Sequence, residues 1–206
     1  MASRLVVGTS VSLDGVMQAP MPAPGVPGEA DSNGFPHVGW MAPHVDEGFN
    51  RIMSKVFDRA EGMLLGRKSY ELLASYWPNA PEEEGAERLN SMQKYVATRT
   101  PMKADWQNTK VLVGEAAQTI ADLKKSTDGE TLVQGSSDLL RTLQKAELVD
   151  EYHLLVFPVV LGQGKRLFAE GTTPAGLKLT RSTTTDSGVV YINYEWAGNP
   201  SYGSVA

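Results

Sequence analysis

The sequence predicts an α/β domain: a mostly parallel sheet flanked by helices, with antiparallel strands at one edge. Three observations carry that expectation. Short apolar runs alternate with amphipathic helical stretches along most of the 206 residues, the pattern of strands joined by crossover helices. Several of these runs end in glycine or hydroxyl residues where a helix begins. Near the C-terminus the alternation breaks, and two period-two strands, residues 177–185 and 189–196, flank Asp186-Ser187-Gly188 as a hairpin.

Taken in order, residues 5–10 form a β-rich run that leads into the turn signal Ser12-Leu13-Asp14-Gly15. Residues 18–39 then carry five prolines interleaved with glycines, which no regular element tolerates. A loop this long in a compact domain is usually functional, and its place straight after the first strand predicts a lid over a site. The alternative is an idle surface insertion. Residues 45–59 read as a helix with Phe49, Ile52, Met53 and Val56 on its apolar face, and with Asp46 and Glu47 in its first turn. A short buried strand at 63–66 precedes a helix at 67–76, which Trp77-Pro78 ends. Residues 82–92 make a polar helix, 94–98 and 110–113 strands, and 116–125 another helix.

Residues 132–168 are the most informative stretch. A buried strand closes at Gln134-Gly135, and a helix follows with Leu139, Leu140 and Leu143 on one face and Arg141, Gln144 and Lys145 on the other. Ser136 or Ser137 is placed as its N-cap, with Asp138 in the first turn. An apolar strand then runs over residues 154–161. The Gly-Gln-Gly-Lys at 162–165 is not a phosphate loop. Val159 stands where its first glycine belongs, and Arg166 replaces the metal-binding hydroxyl residue. A turn, or a contact shaping the pocket or a dimer, is expected there instead.

The totals exclude several function classes. Hydrophobic content of 41% and charged content of 21% fit a globular domain with a substantial core. A formal charge of −5 without a basic block argues against nucleic acid as a partner. No cysteine is present, so disulfides, thiolate metal sites and cysteine catalysis are out. His37, His44 and His153 lack metal-ligand spacing and no G-x-S-x-G occurs, so neither a metal nor a serine nucleophile is expected. The absence of a leader or a long apolar run predicts a soluble, cytoplasmic chain with no membrane partner.

Chemistry concentrates at three strand-to-helix junctions: Gly66-Arg67-Lys68-Ser69, Thr98-Arg99 and Gly135-Ser136-Ser137. Backbone N–H groups at such turns carry partial positive charge, and the cations beside the first two add to it. For any one turn the plain alternative is a capped helix with solvated cations. Three of them at the carboxyl ends of strands are what an open α/β sheet uses to hold a dinucleotide. Any hydride addition that leaves charge on nitrogen or oxygen also needs a proton donor; Asp46 and Asp14 are the candidates, although Asp-Gly after a strand is also ordinary turn chemistry. Trp40, Phe49, Trp77 and Phe157, together with Gln134, are placed around a planar substrate, with core packing as the alternative for Phe49.

These motifs, with Pro158-Val159-Val160-Leu161-Gly162 and Gly164-Lys165-Arg166-Leu167-Phe168, occur in an order that resembles the dihydrofolate-reductase-like superfamily. The resemblance is greatest to the C-terminal reductase domain of bifunctional riboflavin-biosynthesis proteins and its stand-alone relatives, and it spans residues 4–197. It implies a three-layer fold on a sheet of about eight strands, one reductase domain over residues 1–198, and a flexible tail at 199–206. It implies NADPH as cofactor, with Gly66, Arg67, Lys68, Ser69, Thr98 and Arg99 at the 2′-phosphate end and Gly135, Ser136 and Ser137 at the pyrophosphate. It places Asp46 on the helix that bears the folate enzyme's carboxylate. It also implies a homodimer and hydride transfer to a small heterocyclic or carbonyl-bearing substrate. The alternative is a non-catalytic nucleotide- or ligand-binding protein on the same fold.

Overall fold

The structure, a computed structural model, describes residues 3–22, 34–82 and 85–204. Eight strands form one sheet: β1 (Arg4–Ser12), β2 (Ala60–Gly66), β3 (Gln93–Thr98), β4 (Thr109–Val113), β5 (Glu130–Val133), β6 (Glu151–Phe157), β7 (Leu177–Thr184) and β8 (Val190–Trp196). Their order is β4-β3-β2-β5-β1-β6-β8-β7. The first six run parallel, and β6-β8-β7 are antiparallel.

That order fixes where the helices go. The connections from β1 to β2 and from β2 to β3 travel one way along the sheet, while those from β4 to β5 and β6 travel back. Right-handed crossovers therefore put α1 (Glu47–Arg59) and α2 (Arg67–Ala74) on one face, and α4 (Ala116–Ser126) and α5 (Ser137–Lys145) on the other. The strand pleat sorts side chains accordingly. Val6, Met63, Leu65, Leu132 and Leu155 join the cluster that holds Phe49, Val56 and Tyr70. Leu5, Val7, Leu64, Val133 and Leu154 join that of Ile120, Leu139 and Leu143. Central strands buried on both faces are why these segments read as apolar runs without strict alternation.

Several boundaries differ from the sequence reading, each for a local reason. Asp46 keeps an extended backbone and caps α1, so the helix begins at Glu47. The polar helix shortens to α3 (Ala86–Ser91), and the chain after α2 tightens into a 3₁₀ turn at Trp77–Asn79. The strand expected at 154–161 stops at Phe157. Pro158 has no N–H to continue the ladder, and the Val159 amide turns back to the Phe157 carbonyl at 2.8 Å. The strand therefore does not run past its own sheet and offers no overhang for the homodimer that the resemblance implies. Gln144 is buried rather than solvated, its amide donating to the Leu167 carbonyl at 3.3 Å.

Residues 23–33 of the expected lid lie outside the described residues. Its two stems are tied together: the Gly39 amide donates to the Ala19 carbonyl at 3.0 Å, and the Trp40 indole to the Gln18 carbonyl at 2.8 Å. No helix among the described residues is long and apolar enough to cross a membrane.

Candidate active site

Because β2 lies between β3 and β5, the turns leaving these three strands emerge side by side at their carboxyl ends. The Gly66 amide donates to the Gly135 carbonyl at 3.2 Å. A Cβ on Gly66 would stand 2.6 Å from Ser136 Oγ, and one on Gly135 would stand 3.0 Å from Ser69 Oγ. The two glycines are what let the turns touch. Gly135 also has φ +78°, a region that side chains avoid, and the Gly135–Ser136 peptide is cis. Of the two serines, Ser136 is the cap: its Oγ accepts from the Leu139 amide at 3.5 Å, and Ser137 opens α5.

The third turn is tied in through Thr100, which is not among the residues expected at the cofactor. Thr98 Oγ1 donates to the Thr100 carbonyl at 2.9 Å, bending the chain after β3. Arg67 then reaches across, donating to Thr100 Oγ1 at 3.2 Å and to Glu71 Oε1 at 2.7 Å. Lys68 and Arg99 are exposed beside it. All nine residues expected at a dinucleotide thus lie along one edge of the sheet. Two missing side chains at the closest approach, with three cationic heads nearby, fit a phosphate-bearing cofactor.

Neither candidate acid is stocked with a proton near neutral pH. Asp14 accepts from the Ser12 hydroxyl at 2.7 Å, the Leu161 amide at 3.1 Å and the Gly162 amide at 2.9 Å, and Arg166 lies 3.3 Å away. The Ser12 and Leu161 bonds foremost hold its carboxyl well below the usual carboxylate range. Asp14 thereby clamps the turn after β1 to the Leu161–Arg166 turn. Asp46 accepts from the Phe49 amide at 2.7 Å and the Ser187 amide at 2.9 Å, which lower its pKa to about 2. Its carboxylate fastens α1 to the β7–β8 turn, where the Ser187 hydroxyl also donates to the His44 carbonyl at 2.7 Å.

The residues expected around a substrate gather only in part. Trp40, Phe49 and His44 stand edge-on to Phe157, with ring centroids 5.4, 6.0 and 6.1 Å away. Phe157 is fully buried, and Phe49 and Trp40 nearly so, which makes all three part of the core. Trp77 sits apart, against Tyr76 at 5.6 Å and over α3, where Asn90 donates to its carbonyl. Gln134 bridges β5 and β1, its amide donating to the Gly8 carbonyl at 3.3 Å. Among the described residues no group of three or more histidines or carboxylates could hold a metal ion.

The strand order, the antiparallel edge and the row of strand-end turns define a dihydrofolate-reductase-like α/β protein. Within that class the chain belongs to the family of the RibD C-terminal domain, whose model matches residues 4–191. It is 30% identical over 200 residues to the uncharacterized protein YyaP of Bacillus subtilis (strain 168), covering 95% of this chain and 96% of that one. Among solved structures, a putative riboflavin biosynthesis protein from Shewanella sp. PV-4 superposes with a TM-score of 0.68 at 21% identity, over 96% of this chain and 99% of the other. Dihydrofolate reductase from Enterococcus faecalis, complexed with NADP(H), gives a TM-score of 0.57 at 16% identity over 94% and 96%. A deaminase/reductase from Thermotoga maritima gives 0.63 at 12% identity, with 95% of this chain covering 57% of that one. Family and fold point to a reductase-like enzyme.

Proposed function

We propose that the protein is an NADPH-dependent reductase that passes hydride to a small heterocyclic or carbonyl-bearing substrate. The convergence of the β3, β2 and β5 turns is the observation that carries this reading. Arg67, Lys68, Ser69, Thr98 and Arg99 take the 2′-phosphate end, and the Gly66–Gly135 contact with Ser136 and Ser137 takes the pyrophosphate. Neighbouring strands lie about 4.8 Å apart, so β3 to β1 spans roughly 14 Å, a dinucleotide's reach. A cofactor laid that way brings its reactive ring toward the end of β1, beside the Trp40–Phe157 cluster. The nicotinamide supplies the hydride, and this chain's residues bind, orient and exclude water. Asp46, being ionised, acts by accepting a hydrogen bond from a substrate N–H or O–H, and the proton arrives through water.

One observation favours a second reading, a ligand-binding protein without turnover: both candidate acids are engaged as structural acceptors. Calorimetry with NADPH and NADH, followed by single-turnover oxidation against carbonyl and pterin-like acceptors, separates the two. A charge-assisted bond from an arginine or lysine to a phosphate contributes about 1.5–3 kcal/mol. Arg67→Ala should therefore cost NADPH at least tenfold in affinity and leave NADH nearly unchanged. Equal affinity for both cofactors in the parent protein rejects the 2′-phosphate assignment. Tight NADPH binding without oxidation by any acceptor favours the binder.

A further inference from the structure

A cavity of about 210 Å³ lies between α1 and the antiparallel part of the sheet. It shares no residue with the strand-end turns or with the ring cluster on Phe157. Four cations line it: Arg51, Lys55 and Arg59 on successive turns of α1, and Arg181 on β7. No lining residue is acidic. For a chain of net charge −5 that concentration is unusual, since like charges gathered at one place repel unless something answers them.

Two of the four are answered within the protein. Arg59 meets Glu130 at 2.5 Å, and Arg51 pairs with Glu47 at 3.4 Å in an exposed contact of little strength. Lys55 and Arg181 have no carboxylate partner among the described residues, and both reach solvent. The buried carboxylate Glu151 also faces Arg59, at 4.0 Å, but its shorter contacts lie elsewhere. It accepts from the Asn193 amide at 2.7 Å, meets His153 at 2.8 Å and pairs with Arg4 at 2.7 Å.

The floor and rim are polar and built. Tyr191, almost fully buried, lies at the floor with its hydroxyl 2.5 Å from His153 Nδ1, so the tyrosine, His153 and Glu151 form one buried chain behind the cavity. Thr183 lines the side. At the upper end a Cβ on Gly48 would stand 3.1 Å from both Asp46 Oδ1 and the Thr185 Cβ. Ile52 and Val56 add an apolar wall.

We propose that this cavity binds a small oxyanionic metabolite, a phosphate ester or a carboxylate. Lys55 and Arg181 hold the charged group, Thr183 donates to it, and Tyr191 with Ile52 and Val56 receives the body. The site is additional to the cofactor edge. It meets the candidate active site at Asp46, through the Thr185–Ser187 hydroxyl contact of 2.9 Å and the Ser187 amide, and shares with it the buried cluster of Val56, Tyr191 and Phe49.

Calorimetric titration of the full chain with inorganic phosphate, and separately with malonate, tests this. Saturable one-to-one binding is expected for at least one anion, weakened at least tenfold by Lys55→Gln and by Arg181→Gln, while NADPH affinity stays as in the parent. Phosphate alone binding assigns a phosphate ester, and malonate alone a carboxylate. Both substituted residues are exposed, so thermal melting should show the fold retained. No saturable binding of either anion, or binding untouched by both substitutions, overturns the proposal. Its failure leaves the NADPH reading standing, because that reading is measured at the β3, β2 and β5 turns, separated from this cavity by β1 in the strand order.

Discussion

Replacing Gly66 with alanine tests whether the β2 and β5 turns must touch for the site to exist. Gly66 has φ −75°, so its backbone accepts alanine; the chief obstacle is the Ser136 hydroxyl, 2.6 Å from where the new methyl would sit, with the Ser136 Cβ next at 3.3 Å. Forcing a methyl into a packed position costs typically about 1–3 kcal/mol. Removing the Ser136 hydroxyl by Ser136→Ala loses a helix cap, about 1 kcal/mol. Simple addition puts the double variant at about 2–4 kcal/mol. The obstacle is the very atom the second substitution removes, so Gly66→Ala/Ser136→Ala should cost only about 1–2 kcal/mol, a coupling of about 1–2 kcal/mol. Urea unfolding of the four proteins gives the cycle, and calorimetric titration with NADPH gives the functional counterpart, in which Gly66→Ala alone should weaken binding most. Strict additivity, or a Gly66→Ala protein that unfolds and binds as the parent does, would refute the contact as the organiser of the site.

Other outcomes follow from the same geometry. Exchanging residues 23–33 for a short glycine–serine linker should leave NADPH affinity nearly intact and lower turnover, because the tied stems at Ala19 and Gly39 sit by the end of β1 rather than by the adenosine turns; full turnover in the trimmed protein marks the loop as idle. The folded-state pKa of Asp46 is depressed from 3.8 to about 2. Its stabilisation is therefore fully present above pH ~4 and lost as pH falls through about 2, so Asp46→Asn should flatten the acid dependence of the urea midpoint within that window. Identical pH profiles would reject the capping role. The edge strand β7 exposes Leu179 and an unpaired backbone ladder, and the chain is expected to pair; light scattering at micromolar concentration giving 22.3 kDa would show a monomer.

The sheet was legible because its strands are buried on both faces and its turns carry glycine and serine. The three strand-end turns could be found one by one, and strand order alone shows that they adjoin. What stayed hidden was pairing at a distance. Asp14 reads as turn chemistry until β1 and β6 are known to be neighbours; only then do the Leu161 and Gly162 amides come within its reach. Asp46 reads as an acid in a first turn, and nothing local announces that Ser187 will take its other oxygen. Lys94 is the sharpest case. Inside a strand it looks like a solvated charge, yet it is buried, donating to the carbonyls of Leu89, Asn90 and Met92 and standing 4.5 Å over the Trp106 ring. Its length lets it seal the end of α3, a use that periodicity cannot encode.

The central position of β1 governs how the chain can be made. Its two neighbours, β5 and β6, are among the last parallel strands synthesised, and the Leu5 amide meets the Asp150 carboxylate across 145 residues. On the ribosome β1 emerges well before either neighbour and has no place in this sheet to join until β5 is made, whereas β2, β3 and β4 pair with one another as they appear. Such late, distant pairing makes for slow folding and a long exposure of the apolar Leu5–Val7 segment. A nascent chain halted before β5 leaves that segment with no ladder on either side, a natural target for a holding chaperone.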